Sequence, residues 1–324
     1  MLDCSNPPPF RFSDRAIPEL SELDMPFDYV EGFSRPDWDT VRGSIRERVR
    51  SEDLFAAWDF AAQKWLQQLA QDLGGGARVY DSGHFLCVSD ADPGTVNTLL
   101  NYAEGVLPTI RANLRGAAWI GYHGRHVLLL FSDPDDYYAY VSFFHEAEVS
   151  PLSGGVCLGR GYTHIAMPLV NVRSAEHTIV HELVHNLVVH LRLPLWLNEA
   201  LAMVIESRIE RRPFLLDRDE VDRHRQHWNP GTIQEFWAGT AFGIPGESNH
   251  LSYKLSEILL NLLLERQVNL VEFIKNADWR DGGQDAALNL LSTDLGALAA
   301  DFLGPGDWRP RRKTIAALLK LRPT

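Results

Sequence analysis

Cysteine is scarce in this chain, as are the other marks of a secreted or membrane-bound protein. Only three cysteines occur in 324 residues, at Cys4, Cys87 and Cys157. An odd number of widely spaced cysteines argues against a disulfide framework or a cysteine metal site, and it favours reduced thiols. The N-terminus has no positively charged segment followed by an apolar core, and no apolar run reaches the length of a membrane span. We therefore predict a cytoplasmic protein with no membrane partner.

Positive charge is also in deficit. The chain has 31 Lys and Arg residues against 43 Asp and Glu residues, a formal net charge of −12. Nucleic acids and anionic membranes are bound largely through Lys and Arg, so this balance argues against both partners. The one basic run, Arg309 to Lys313, is typical of a solvated helix start. With 45% hydrophobic residues, the chain can form the sizeable core of an enzyme.

The most informative motif that is present is His181-Glu182-Leu183-Val184-His185, within an apolar stretch. Side chains four residues apart share one face of a helix, with Cβ atoms roughly 5–6 Å apart, so His181 and His185 can reach one ion. Catalytic zinc takes three protein ligands, often imidazoles and a carboxylate, and leaves the fourth position to water. The motif predicts a zinc hydrolase with one Zn²⁺ per chain. Glu182 is the predicted general base, and a zinc-bound water is the predicted nucleophile.

The third zinc ligand is predicted to be Glu199. The helix of the motif must end before Pro194, because a proline pushes the preceding residue out of the α conformation. If a second helix starts near Leu195 and folds back antiparallel, Glu199 climbs roughly 6 Å along it. That rise brings its carboxylate close to the level of His185.

Other residues around the motif leave alternatives open. His177 lies four residues before His181, so spacing alone also allows a shifted pair of ligands, although no Glu follows His177. Asn198 and Glu206 are candidates to hydrogen-bond a ligating imidazole from behind. For Glu206, a solvated position on a helix is an equally good interpretation.

This set of residues resembles the gluzincins, zinc metallopeptidases of the peptidase MA-like group with thermolysin- or aminopeptidase N-type catalytic domains. The segment from Pro194 to Ala202 reads PLWLNEALA and is similar to the P-x-W-L-N-E-G-L-A segment of these proteins. Ala200 stands where that pattern usually has Gly, which leaves the ligand set intact. Glu206 occupies a position that is acidic in aminopeptidase N relatives. The resemblance implies a zincin-like catalytic domain over residues 74–308.

The resemblance also implies roles for residues outside the metal helices. Similar proteins place a Tyr near the metal at the start of a later helix, which makes Tyr253 the predicted donor to the oxyanion, with His250 as its substitute. The segments 154–156 and 162–166 look like the edge strand that binds extended substrate in a zincin cleft. An ordinary structural strand is the alternative for both. The G-x-M-E-N type of segment of aminopeptidase N relatives is absent, which favours an endopeptidase.

The predicted fold is α+β, with a mixed β-sheet in the N-terminal half, a helical C-terminal half and the metal helices at the cleft. Residues 1–73 are predicted to form an arm, irregular over residues 1–36, and a helical segment over residues 38–72. Residues 309–324 are predicted to form a basic C-terminal helix or tail. Strands are expected at 77–80, 85–88 and 127–131, and helices at 95–114, 137–144, 251–264, 270–274, 286–291 and 295–302.

Three function classes follow from the sequence. A metallopeptidase acting on a peptide or protein substrate is the leading prediction. A zinc-bound recognition module without turnover is the second, and the intact Glu182 argues against it because binding alone needs no base. The third class is a zinc hydrolase of a non-peptide amide or ester. The sequence carries no signal for an oligomeric state.

Overall fold

The computed structural model describes residues 23–118, 124–144, 154–266 and 269–320. Chain contacts divide the protein into two units, one of residues 1–109 and 120–186 and the other of residues 110–119 and 187–324. The chain has mixed α and β structure, as the sequence predicts. The zincin-like fold and the boundaries at residues 73 and 308 stay predictions. Part of the predicted N-terminal arm, residues 1–22, lies outside the described residues.

The first unit contains a hairpin, a five-stranded sheet and five helices among the described residues. In chain order these are β1 (Phe27–Val30), β2 (Phe33–Pro36), α1 (Trp38–Arg48), α2 (Leu54–Leu73), β3 (Arg78–Asp81), β4 (Phe85–Ser89), α3 (Pro93–Leu114), β5 (His126–Phe131), α4 (Pro134–Ser142), β6 (Val156–Leu158), β7 (His164–Pro168) and α5 (Val172–Val188).

The five-stranded sheet has the order β3-β4-β5-β7-β6. The central strands β4, β5 and β7 are parallel, and the edge strands β3 and β6 pair antiparallel with their neighbours. The register places Cys87, Leu128, Ile165 and Cys157 in one row across four strands. Strands β4 and β5 are almost wholly buried, which explains their continuous apolar sequences.

One face of the sheet packs against α1, α2 and α4 in a single apolar core. Alternate residues of β5, namely Val127, Leu129 and Phe131, contribute to this core. Because successive strand residues point to opposite faces, His126 and Leu128 face the other side. The large aromatic side chains Trp65, Tyr137 and Tyr140 are fully buried in the same core.

A buried ion pair ties α2 to the start of β5. Arg125 donates from Nε and Nη2 to the two oxygens of Asp59, at 2.8 and 2.9 Å. Only 2% and 1% of these two side chains are exposed. Nη1 of Arg125 also reaches Asp81, and the hydroxyl of Tyr162 donates to the Arg125 carbonyl at 2.6 Å. At Gly124, which has a φ of +71°, a Cβ would lie 2.6 Å from that hydroxyl oxygen.

The structure differs from the sequence prediction in this unit at three places. Residues 27–36 form the β1–β2 hairpin, whereas an irregular arm on the surface was predicted, and all four residues of β2 are buried. The helical segment is broken into α1 and α2 around a 3₁₀ turn at Ser51–Asp53. Of the two segments that resemble an edge strand, only β6 lies at the edge, because β7 is its inner neighbour.

The second unit is helical throughout its described residues, as the sequence predicts for this half of the chain. Its helices are α6 (Leu195–Ile209), α7 (Arg218–His227), α8 (Thr232–Ala238), α9 (Glu247–Glu265), α10 (Leu270–Asn276), α11 (Gln284–Leu291), α12 (Leu295–Leu303) and α13 (Arg312–Leu319). Helices α6 and α9 pack against each other most extensively. The basic C-terminal segment contains α13, while residues 321–324 lie outside the description.

No single helix in the described part of the chain has the length and apolar character needed to cross a membrane. One bent pair, α11 and α12 at 96° to each other, passes the same test of length and composition when the two are taken together.

Candidate metal centre

Helix α5 presents two neighbouring rows of functional side chains. His177, His181 and His185 recur at intervals of four residues and so lie along one face. Glu182 lies on the adjacent face, and Asn186 follows it by one turn. Both of these polar side chains are buried, each in a residue only 7% exposed. The spacing of the HExxH motif is thus realised on a helix.

Helix α6 begins where the sequence predicts, at Leu195. Pro194 precedes it, and its carbonyl accepts the N–H groups of Leu197 and Asn198 at 3.0 and 3.1 Å. Trp196, which is fully buried, donates from its indole N–H to the carbonyl of Gly282 at 2.9 Å. This hydrogen bond fixes the first turn of α6. Glu199 lies one turn further along and is buried.

The structure groups the three predicted zinc ligands. His181, His185 and Glu199 each offer one ligand atom, and these atoms lie within 4.8 Å of one another. The two imidazole rings are 4.8 Å apart, with their planes at 79°. Two imidazole nitrogens and one carboxylate oxygen form the donor set that catalytic zinc uses, so the residues present fit this ion. The side-chain oxygen of Asn198, beside Glu199, is buried and accepts no hydrogen bond from the described residues.

A second group of possible ligands contains His177, Glu206 and Glu210, whose ligand atoms also lie within 4.8 Å of one another. The Arg212 guanidinium pairs with Glu206 at 2.5 Å and with Glu210 as well. One guanidinium thus contacts both carboxylates and compensates one of their two negative charges. The structure places Glu206 in this second group, paired with Arg212 and with 16% of its side chain exposed, and its role behind a ligating imidazole stays a prediction.

The two candidates for an oxyanion donor both lie on α9, which starts at Glu247, four residues earlier than predicted. Tyr253 is therefore in the second turn of the helix, with its ring packed edge-on against Phe242 at 5.2 Å. His250 is 55% exposed, and its Nε2 lies 3.7 Å from Glu220. The role of either residue in catalysis stays a prediction.

Sequence reasoning did not find Asn186 on α5, or the side chains His126 and Cys157 on two strands. Nδ1 of His126 lies 2.7 Å from Oδ1 of Asn186. Burial, and next the charge of Glu182, raise the pKa of the Cys157 thiol, and hydrogen bonding to Asn186 partly offsets the rise. The interval of four residues from Glu182 could have identified Asn186, whereas Cys157 and His126 come from separate strands.

The two glycines just before β6 lie close against α5. A Cβ built on Gly155 would come within 2.5 Å of the Thr178 methyl group, and one on Gly154 within 2.9 Å of the Thr178 hydroxyl. Thr178 is one turn before Glu182, and Cys157 is two residues after Gly155. The chain just before β6 therefore lies against α5, and the charge of Glu182 contributes to the raised pKa of the Cys157 thiol. No protein-family model matches this chain, and no curated protein sequence matches it significantly.

Proposed function

We propose that this protein is a zinc-dependent metallopeptidase of the gluzincin type, with His181, His185 and Glu199 as the ligands of one Zn²⁺ ion. The observation that supports this proposal most directly is the grouping of one potential ligand atom from each of these residues within 4.8 Å. Two of them belong to an HExxH motif, whose Glu182 has no purpose in a site that only binds. A bound zinc ion would polarise the substrate carbonyl and lower the pKa of a water molecule.

Glu182 has the position of a general base in this proposal. Because it follows His181 in the helix, its side chain is rotated by about 100° from the ligand row and is not itself a ligand. It accepts the proton of the attacking water and passes it to the leaving amine. Its burial keeps bulk water from competing for the carboxylate.

Tyr253 is the proposed donor to the developing oxyanion. A phenol can hydrogen-bond the negative oxygen of a tetrahedral intermediate, and a preorganised donor of this kind contributes about 3 kcal/mol to catalysis. The packing of its ring against Phe242, and of α9 against α6, would hold the hydroxyl in a fixed place. His250 is the weaker candidate, because its imidazole faces Glu220.

The proposed substrate is a peptide or protein, cleaved within the chain. Segment 161–168, which reads GYTHIAMP, lacks the acidic residues with which aminopeptidase N relatives hold a free α-amine. The proposed compartment is the cytoplasm, on the basis of the small and odd number of cysteines in the sequence.

Metal analysis of purified protein, combined with digestion of a peptide library, tests the function. We expect about one zinc per chain in the wild type and in Glu182→Gln, and loss of zinc in His185→Ala and Glu199→Ala. Glu182→Gln should lose turnover while keeping its metal, because it removes the base and leaves the ligands intact. His190→Ala is the matched control, since this histidine lies just beyond the end of α5 and outside the ligand group.

The outcomes separate the three function classes. Zinc with cleavage of peptides, lost in Glu182→Gln, supports the peptidase. Zinc with hydrolysis of small amides or esters alone would replace it with a non-peptide hydrolase. Zinc without any turnover would replace it with a binding module. Absence of zinc from the wild type, or full activity of Glu182→Gln, would refute the proposal.

A further inference from the structure

The β1–β2 hairpin of the first unit has one covered edge and one open edge. On the covered edge, Ser34 of β2 donates its N–H and its hydroxyl to the carboxylate of Asp72 on α2, at 2.6 and 3.1 Å. Phe33 anchors the same strand, with its ring 5.4 Å from that of Tyr140. Strand β1 pairs only with β2 in the described part of the chain, so its outer edge carries no further strand. The hairpin therefore holds β1 in place as an exposed margin.

Hydrogen bonding within the hairpin decides which backbone groups of β1 point outwards. Residues of an antiparallel pair alternate between those that exchange hydrogen bonds and those that turn their N–H and C=O groups away from the partner strand. The N–H of Asp37 donates to the carbonyl of Pro26 at 3.0 Å, which makes this a bonded pair. The next residue, Phe27, and then Tyr29 consequently direct their N–H and C=O groups to the open edge. Ser34 lies opposite Tyr29, and its N–H points away from β1 to α2, as this alternation requires.

The side chains of β1 add two aromatic rings and one charge to these outward groups. Tyr29 is 71% exposed and Phe27 is 38% exposed, and both belong to one face of the strand. Asp28 lies between them, is exposed, and forms no ion pair with another described residue. Its neighbour across the hairpin, Arg35, donates instead to the carbonyl of Tyr140 at 2.9 Å. An added strand would therefore meet an aromatic side chain, a negative charge and a second aromatic side chain in turn.

The charge of Asp28 selects between two kinds of added strand. A second copy of this chain that used both outward residues of β1 would pair antiparallel about Asp28, and the two carboxylates would lie directly opposite each other. Like charges at such a position are destabilising, whereas opposite charges are favourable. The side chains there are also close, because Asp28 would form a non-hydrogen-bonded pair with the added strand. The net charge of −12 likewise favours a basic partner over a second copy.

We propose that the open edge of β1 binds an extended segment of another protein, in which a lysine or arginine lies between two apolar residues. The segment adds antiparallel to β1 as a third strand. Its two apolar residues exchange hydrogen bonds with Phe27 and Tyr29, and its basic side chain lies opposite Asp28. This inference goes beyond the proposed function and depends neither on zinc nor on turnover.

Binding of a synthetic peptide to the full chain tests the proposal. The probe is a fluorescently labelled peptide of sequence Thr-Phe-Lys-Phe-Thr with blocked ends, and its anisotropy is measured up to millimolar protein. We expect it to bind, and the same peptide with Glu in place of Lys to bind about tenfold more weakly, because a like charge replaces an ion pair. A peptide N-methylated at both Phe residues should not bind, since it lacks the N–H groups that face β1.

Variants of β1 test the register of the added strand. Asp28→Lys should reverse the preference, so that the Glu peptide binds about tenfold more tightly than the Lys peptide. Tyr29→Pro removes an outward N–H from an edge strand, where proline is tolerated, and should abolish binding. Tyr29→Thr keeps that N–H and should weaken binding only about fivefold. Asp39→Lys is the matched control for charge, because Asp39 on α1 is 90% exposed, and it should leave the preference unchanged.

The outcomes either support or overturn the proposal. Equal binding of the Lys and Glu peptides, binding of the N-methylated peptide, no binding of the Lys peptide, or no reversal in Asp28→Lys would overturn it. Circular dichroism of Tyr29→Pro should match the wild type; if this variant unfolds, the N-methylated peptide on the wild type replaces it. Sedimentation velocity should show no self-association that Tyr29→Pro abolishes, because such association would make a second copy the occupant and overturn the proposal.

Discussion

Replacing Asp59 by alanine is expected to destabilise the protein severely, because it leaves the Arg125 guanidinium buried without its main partner. Asp59 accepts two hydrogen bonds from Arg125, at 2.8 and 2.9 Å, and 2% of the arginine side chain is exposed. Removing one partner of a buried ion pair costs about 3–5 kcal/mol. Two hydrogen bonds to a charged group, at about 1.5–3 kcal/mol each, give a similar range.

This loss is large against the roughly 5–15 kcal/mol by which domains are usually stable. Urea unfolding followed by tryptophan fluorescence and circular dichroism measures it as a fall in the unfolding midpoint. Asp59→Asn should cost less than Asp59→Ala, since an amide oxygen still accepts one hydrogen bond from Arg125.

Asp81→Ala is the matched control for the ion pair. Asp81 also contacts Arg125, at 2.5 Å, but 64% of its side chain is exposed. Exposed pairs contribute about 0–1 kcal/mol, so this variant should remain close to the wild type. The reasoning is refuted if Asp59→Ala and Asp81→Ala lower the free energy of unfolding equally, or if Asp59→Ala lowers it by less than about 1 kcal/mol. Either result would show that burial does not set the strength of the pair.

Two further predictions concern pH and close packing. Burial lowers the pKa values of His224 and His164 to about 4, so both are neutral in the fold while the unfolded chain binds protons below pH 6.5. The stabilisation is therefore fully present above pH 6.5, and the free energy of unfolding should fall by about 2 kcal/mol per histidine between pH 7 and 5. Urea titrations at the two pH values measure this fall, which should be smaller in His224→Gln. Gly155→Ala should cost about 1–3 kcal/mol, because its Cβ meets the Thr178 methyl group at 2.5 Å. In the double variant, Thr178→Ser removes the methyl group and should recover part of that loss. If the free-energy changes of the two single variants simply add, the predicted contact between residues 155 and 178 is wrong.

The sequence predicted those elements whose apolar residues recur with a clear period. Strand β5 was expected over residues 127–131 and spans His126–Phe131, and the helix expected at 95–114 spans Pro93–Leu114. Such segments can be predicted from their own residues, because a short continuous apolar run indicates a buried strand and apolar residues three or four apart indicate an amphipathic helix. The start of α9 was missed by four residues, because Glu247 to His250 are polar.

The β1–β2 hairpin could not be predicted from its own residues. Its strands are only four residues long, and β1 is largely exposed. The burial of β2 depends on distant partners, such as the ring of Tyr140 at 5.4 Å from that of Phe33. Short strands stabilised by such long-range contacts give no periodic pattern that sequence reasoning can use.

In the candidate metal centre too, the residues related by spacing along the chain could be predicted, and those brought near by the fold could not. The interval from His181 to His185 is local, and the prediction of Glu199 required a helix break at Pro194 and a second helix that folds back antiparallel. Cys157 comes from another strand, and no spacing along the chain relates it to Glu182. The influence of the Glu182 charge on the pKa of its thiol becomes visible only in the folded chain, where the residues before β6 approach α5.

The start of β5 carries a consequence for how this protein can vary in length. Arg125 and His126 are consecutive, and they serve opposite sides of the sheet, one bound to Asp59 on α2 and the other to Asn186 on α5. A single residue inserted between them would reverse the face of one side chain and break its contact. Substitutions elsewhere in the strand can be absorbed by repacking, whereas an insertion or deletion at this step cannot. Homologues should therefore show substitutions elsewhere in β5 but no insertion or deletion between these two positions.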